Sequence, residues 1–178
     1  MTALFDRDLR HLNRGARHAR GSEMIWPTRI SFGGTAAIVT SMALIAGLDA
    51  AKAGRATIVS ALLIAAVADN LTDSLSVHTY QESERLEQRA AFLGTLTNFA
   101  TRFIVCLTFV LIAALFRERA AAVVGIVWGM SLLAALTYVL ARHRKVSTMP
   151  EIGKHLAVAL AVILVSKGIG HWIIARVT

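Results

Sequence analysis

ATIVSALLIAAVADNLTDSLSVHTYQESE, residues 56–84, begins as an apolar run and ends in acid. The uncharged part, Ala56 to Ala68, is too short to cross a bilayer, which takes about 20 residues of helix. A span that starts here has to continue through Asp69 and Asp73 toward Tyr80. Each intramembrane carboxylate costs about 2.5–3.5 kcal/mol on insertion scales. Four residues apart, the two aspartates share one helix face. Ser76, Tyr80, Glu84 and Glu87 continue that face at spacings of three or four. A helix entering near Ala56 puts Asp69 about 20 Å and Asp73 about 26 Å along its axis. Such a pair is expected to face the bundle interior, a water-filled path or another subunit.

Four further apolar runs flank this one. Ile30 to Leu48 carries no charge and follows Trp26 and Pro27, residues suited to an interface and to the first turn of a helix. Phe103 to Phe116 is the third span, beginning at or before Arg102. Ala120 to Leu140 is the fourth, and Leu156 to Ile174, interrupted by Lys167 and His171, is the fifth. The expected fold is an all-α membrane protein of five transmembrane helices over residues 24–178, the second helix reaching into the cytosol. Residues 1–23 form a basic arm whose Arg7, Arg10, Arg14 and Arg17 would stripe one face of an interfacial amphipathic helix. A disordered basic tail is the alternative.

The chain is 56% hydrophobic with a mean hydropathy of +0.59, and only 17% of its residues are charged, against about 25% in a soluble domain. Its net charge of +8 is explained by where the cations lie. With the N-terminus in the cytoplasm, thirteen Lys and Arg, Arg102 included, fall in inner segments and five in outer ones, with Lys167 within the membrane. The positive-inside rule then sets N-in and C-out, and no nucleic-acid partner is needed to account for the charge. No apolar core region precedes Trp26, so a cleaved signal peptide is not expected. A multi-pass protein of the cytoplasmic (inner) cell membrane is expected.

Carboxylates are hard oxygen ligands for divalent cations, and they also carry protons when desolvated. One pair able to do both supplies the chemistry of an antiporter. The candidate metal-contacting residues are Asp69 and Asp73, with neutral oxygens from Asn70 and Ser76, and an acidic vestibule at Glu82 and Glu84. No permanently bound cofactor is expected, only transported divalent metal and protons. His78 lies nearly half a turn from Asp69 (about 180° at 100° per residue). The alternative for Asp69 and Asp73 is a structural pairing with Arg102 or Lys167 that holds helices together. For Glu82 and Glu84 it is a solvated helix end. The lone Cys106 excludes an internal disulfide and any Cys-rich metal cluster. No nucleophile–base set, phosphate loop or His-x-x-x-His motif is present, so no enzymatic activity is expected.

RISFGGTAAIVTSMALIAGL (29–48) and ADNLTDSLSVHTYQESE (68–84) together resemble the first two helices of the vacuolar iron transporter family. Those helices read Phe-Gly-x-x-Asp-Gly and Ser-Met-x-x-Gly-Glu-Tyr-x-Ser-Val. Leu75, Ser76 and Val77 fix the register. In it the family's aspartate falls on Ala36, its next glycine on Ala37, its methionine on Asp69 and its glutamate on Asp73. Residues 81–98 are too few for the family's cytosolic metal-binding insert. The resemblance implies a homodimer that exports iron(II) or manganese(II) from the cytosol in exchange for protons, along a dimer-interface path. Asp73 would inherit the ion-path role, and Asp69 the place of a metal-contacting methionine. Separately, Gly33, Ala37 and Ser41 make a small-residue stripe on the first helix. Such a stripe serves either a homodimer through that helix or packing within the chain. A non-transporting membrane scaffold or regulator of the same fold is the competing function.

Overall fold

The computed structural model describes residues 33–83 and 88–177, with the side chains at 77, 81–83, 88–91 and 118 left aside. The basic arm and the Trp26–Pro27 entry lie outside the described residues. All regular structure among them is helical: α1 (Gly33–Ala50), α2 (Arg55–Ile64), a π turn (Ala65–Asp69), α3 (Asn70–Ser83), α4 (Gln88–Leu115), α5 (Glu118–His143) and α6 (Thr148–Val177). The second, third and fourth of these run on without a break, so five rods result. All five are long and apolar enough to cross a membrane.

The second span does run through both aspartates. The third starts at Gln88, well ahead of Phe103. Its polar first half is helical as well, and the hydroxyls of Thr97 and Thr101 donate to the carbonyls of Leu93 and Thr97 on their own helix. Asn98 and Arg102 find partners on α3. Arg102 is therefore a buried residue within the span, not part of an inner loop. The charge count becomes twelve against five, with the same bias.

Two helix ends close in the same way. After α1, the Lys52 N–H bonds to Asp49 O and the Ala53 N–H to Leu48 O. After α5, the Lys145 N–H bonds to Arg142 O and the Val146 N–H to Ala141 O. Each is a Schellman closure, with lysine at φ 51° and 54° in the left-handed position.

α1 is the central helix. Half of its spanning window is buried, against 17% of that of α6. Ile38, Met42 and Ile45 of α1 meet Ile58 and Leu62 of α2, Phe109 of α4, Leu133 of α5 and Ile163 of α6. α5 comes close because it offers Gly129: a Cβ there would overlap Met42 and lie 3.1 Å from Phe109 Cζ. The small-residue stripe of α1 packs inside the chain. Gly33 lies against Asn98 and Arg102 of α4, Ala37 packs with Cys106, and Ser41 donates to Cys106 Sγ at 3.7 Å. A homodimer built on that stripe would find it already covered by α4.

Candidate functional site: two aspartates over a buried arginine

The site begins with the π turn. The Asn70 N–H bonds to Ala65 O, five residues back, so Ala66 O loses its ordinary helical donor. The Asn70 side chain replaces that donor, giving Nδ2 to Ala66 O at 2.8 Å. Its carboxamide oxygen then points across to α4 and accepts from Arg102 Nε at 2.8 Å. The extra residue of the turn also shifts the register of α3 relative to α2. Asp69 and Asp73 thereby come to the α4 side, where Arg102 lies.

Arg102 joins both aspartates. Its Nη2 donates to Asp69 Oδ2 at 3.2 Å. Its Nη1 lies 2.5 Å from Asp73 Oδ2 but makes no directional hydrogen bond, so that contact is an ion pair approached off the N–H axis. The arginine side chain is 1% exposed, whereas the side chains of Asp69 and Asp73 are 46% and 40% exposed. The guanidinium is sealed inside and the carboxylates open outward. With both ionised, two carboxylates face one guanidinium, and one negative charge is unmatched.

A second polar layer supports the pair. Asn98, one turn before Arg102, donates to Ser74 Oγ at 3.4 Å, and Gly33 leaves room for Asn98 and the Arg102 stem. Below, Cys106 lies near Asn70 Nδ2 at 3.8 Å and Ser41 Oγ at 3.7 Å. Four of these residues, Gly33, Ser74, Asn98 and Ser41, were not singled out as site residues from sequence. Asn98 and Arg102 did carry a signal: two strongly polar residues one turn apart in TNFATRFIVC, residues 97–106.

The candidate residues are distributed unevenly. Asp69 and Asp73 come together, as expected, and they do so on Arg102; Lys167 forms no salt bridge among the described residues. Asn70 is fully buried and its oxygen is committed to Arg102, so it is a support for the arginine and not an open neutral ligand. Ser76 is exposed and donates to Thr72 O at 3.0 Å, away from the pair. Glu84 and the side chain of Glu82 lie outside the described residues. His78 faces α4, 3.4 Å from Thr95 Oγ1. Among the described residues no three His, Cys, Asp or Glu side chains converge where they could hold a metal ion. Asp69 and Asp73 are the two anionic groups on this face, and a cation bound there would have to complete its shell with water or further oxygens.

Taking Arg55 as the start, Asp69 lies about 21 Å and Asp73 about 27 Å along the rod, within the apolar window Arg55–Tyr80. The arrangement can bind a cation or exchange protons at an open anionic face, and it can clamp α3 to α4 through Arg102. No protein-family model, curated protein or solved structure matches the chain.

Proposed function

We propose that the chain is a divalent-cation transporter of the cytoplasmic membrane, with Asp69 and Asp73 as the carboxylates on its ion path. The observation that carries this reading is the asymmetry of burial. A pair kept only to hold helices together is best buried on both sides, because exposed charge within the hydrocarbon is costly. Here Arg102 is buried and both carboxylates keep an open face, with one charge left to be met from outside. A cation or a proton on that face would meet it. The resemblance of residues 29–84 to the vacuolar iron transporters supports iron(II) or manganese(II) as cargo and export in exchange for protons. The twelve-to-five distribution of basic residues supports N-in, C-out. A path between two copies would run along the open side of α3, since the α1 stripe is occupied.

The second reading, a non-transporting scaffold, is favoured by the ion pairs of Arg102 with both aspartates. The two separate in proteoliposomes loaded with a pH dye and given iron(II), manganese(II), cobalt(II) or zinc(II). Metal uptake with opposing proton movement, lost in a folded Asp73→Ala variant, is the expected result. Normal flux in that variant would remove Asp73 from the path. No flux of any metal in the well-folded native chain would leave the scaffold.

A further inference from the structure

We propose that Arg102 is a tethered counter-cation: it fills the cation position between Asp69 and Asp73, and a transported cation binds there only by displacing its two terminal nitrogens. The inference rests on the cation-path reading above. The guanidinium bridges the carboxylates much as a metal ion would. Nη2 meets Oδ2 of Asp69 and Nη1 meets Oδ2 of Asp73, one end of the fork on each acid. A dication drawn to those oxygens would meet the guanidinium at contact distance. The two cannot share the site without strong repulsion.

The anchor of Arg102 sets the cost of displacement. Nε is held by Asn70 Oδ1 at 2.8 Å, and the side chain is 1% exposed. Nε, Cζ and both terminal nitrogens form one rigid plane, so the terminal nitrogens leave the acids only when the whole guanidinium rotates, and the Asn70 bond bends or breaks with it. The Asp73 contact, close but lacking a directional hydrogen bond, is the one expected to yield first. A dication on two carboxylates is locally neutral, which leaves the displaced guanidinium unmatched in a low-dielectric setting. That imbalance drives it back and expels the cation. Arg102 is thus a built-in competitor that lowers cation affinity and speeds release.

The test is binding of manganese(II) to the purified full chain in nanodiscs, read from loss of the free-ion electron paramagnetic resonance signal. Native protein, Arg102→Gln, Arg102→Lys and Asp73→Asn are compared. Removing the competing charge is expected to tighten manganese binding by about tenfold or more and to slow transport. Asp73→Asn is expected to weaken binding. Arg102→Lys, which meets the acids through one nitrogen, is expected to fall between native and Arg102→Gln. If Arg102→Gln does not fold, tighter binding by the lysine variant carries the test. A residue that merely supported the fold would not tighten binding when replaced. Equal or weaker binding in the folded Arg102 variants, with native binding lost in Asp73→Asn, overturns the tethered counter-cation and leaves the ion path standing. No binding by the native chain or by either Arg102 variant overturns the path, and this inference with it.

Discussion

Asn70 holds Arg102 at Nε, 2.8 Å from its carboxamide oxygen, and is itself held through Nδ2 by the Ala66 carbonyl at 2.8 Å. One fully buried side chain thus joins the π turn of the second rod to the only arginine of the third that lies within its apolar window. Replacing it leaves a charged donor and a freed backbone carbonyl without partners. Asn70→Leu is expected to lower stability by about 2–3 kcal/mol. Thermal unfolding in detergent checks this, and an unchanged melting temperature would show that Arg102 Nε is satisfied in some other way.

How much of this was legible beforehand depends on the kind of information each residue carries. The first and fourth spans are legible as uncharged runs of about 20 residues, which have few uses outside a bilayer; the others either extend beyond a shorter uncharged run or contain a charge. The passage of the second span through Asp69 and Asp73 followed from arithmetic, since Ala56 to Ala68 is too short alone. Other features were not readable. A π turn needs the position of one extra residue, and no composition or spacing in AAVAD sets it apart from an ordinary helix. From sequence, Asn70 offers a neutral oxygen beside the two acids. Its burial follows from the approach of α4, which is a tertiary fact. The third span is expected to begin at or before Arg102, and it reaches back to Gln88 through a polar half that hydropathy alone does not mark, in which Thr97 and Thr101 return their hydroxyls to the helix backbone. The stripe on α1 was recognised, but a stripe does not say whether its partner is the same chain.

The contact of α1 with α5 depends on a missing side chain. A Cβ at Gly129 would overlap Met42, which is fully buried and cannot swing into open space. Gly129→Ala is expected to cost about 1–3 kcal/mol through overpacking. Gly168→Ala is the control, because a Cβ there meets nothing within 4 Å. The same melting measurement should show a clear loss for the first and none for the second. Equal behaviour of the two would mean that α1 and α5 do not approach each other as described.

Lys52 and Lys145 occupy equivalent left-handed turns, and the proposed N-in, C-out topology would put Lys52 outside and Lys145 in the cytosol. Cys106, 3% exposed, should stay silent toward aqueous reagents, so single cysteines can be added to the native sequence. Lys52→Cys in intact cells is expected to react with a membrane-impermeant maleimide, and Lys145→Cys only after the cells are opened. The reverse pattern would invert the topology and with it the direction of export.

Asp69 and Asp73 should behave differently alone and together. Asp69→Asn or Asp73→Asn leaves Arg102 one carboxylate, so charge is still matched one to one within the membrane. Each single variant is expected to melt within about 1 kcal/mol of native, since its change takes place at a side chain that is nearly half exposed. The double variant leaves a buried guanidinium with no counter-charge. Loss of the counter-charge of a buried ion costs about 3–5 kcal/mol, more than the sum of the singles, although Asn70 still holds Nε. A double-mutant cycle in stability is therefore expected to show strong non-additivity. Flux should follow another rule: if both acids line the path, either single change abolishes transport while the protein still melts normally. Additive melting would mean that Arg102 does not depend on this pair. Native flux in both folded singles would make the aspartates a clamp between α3 and α4 and nothing more.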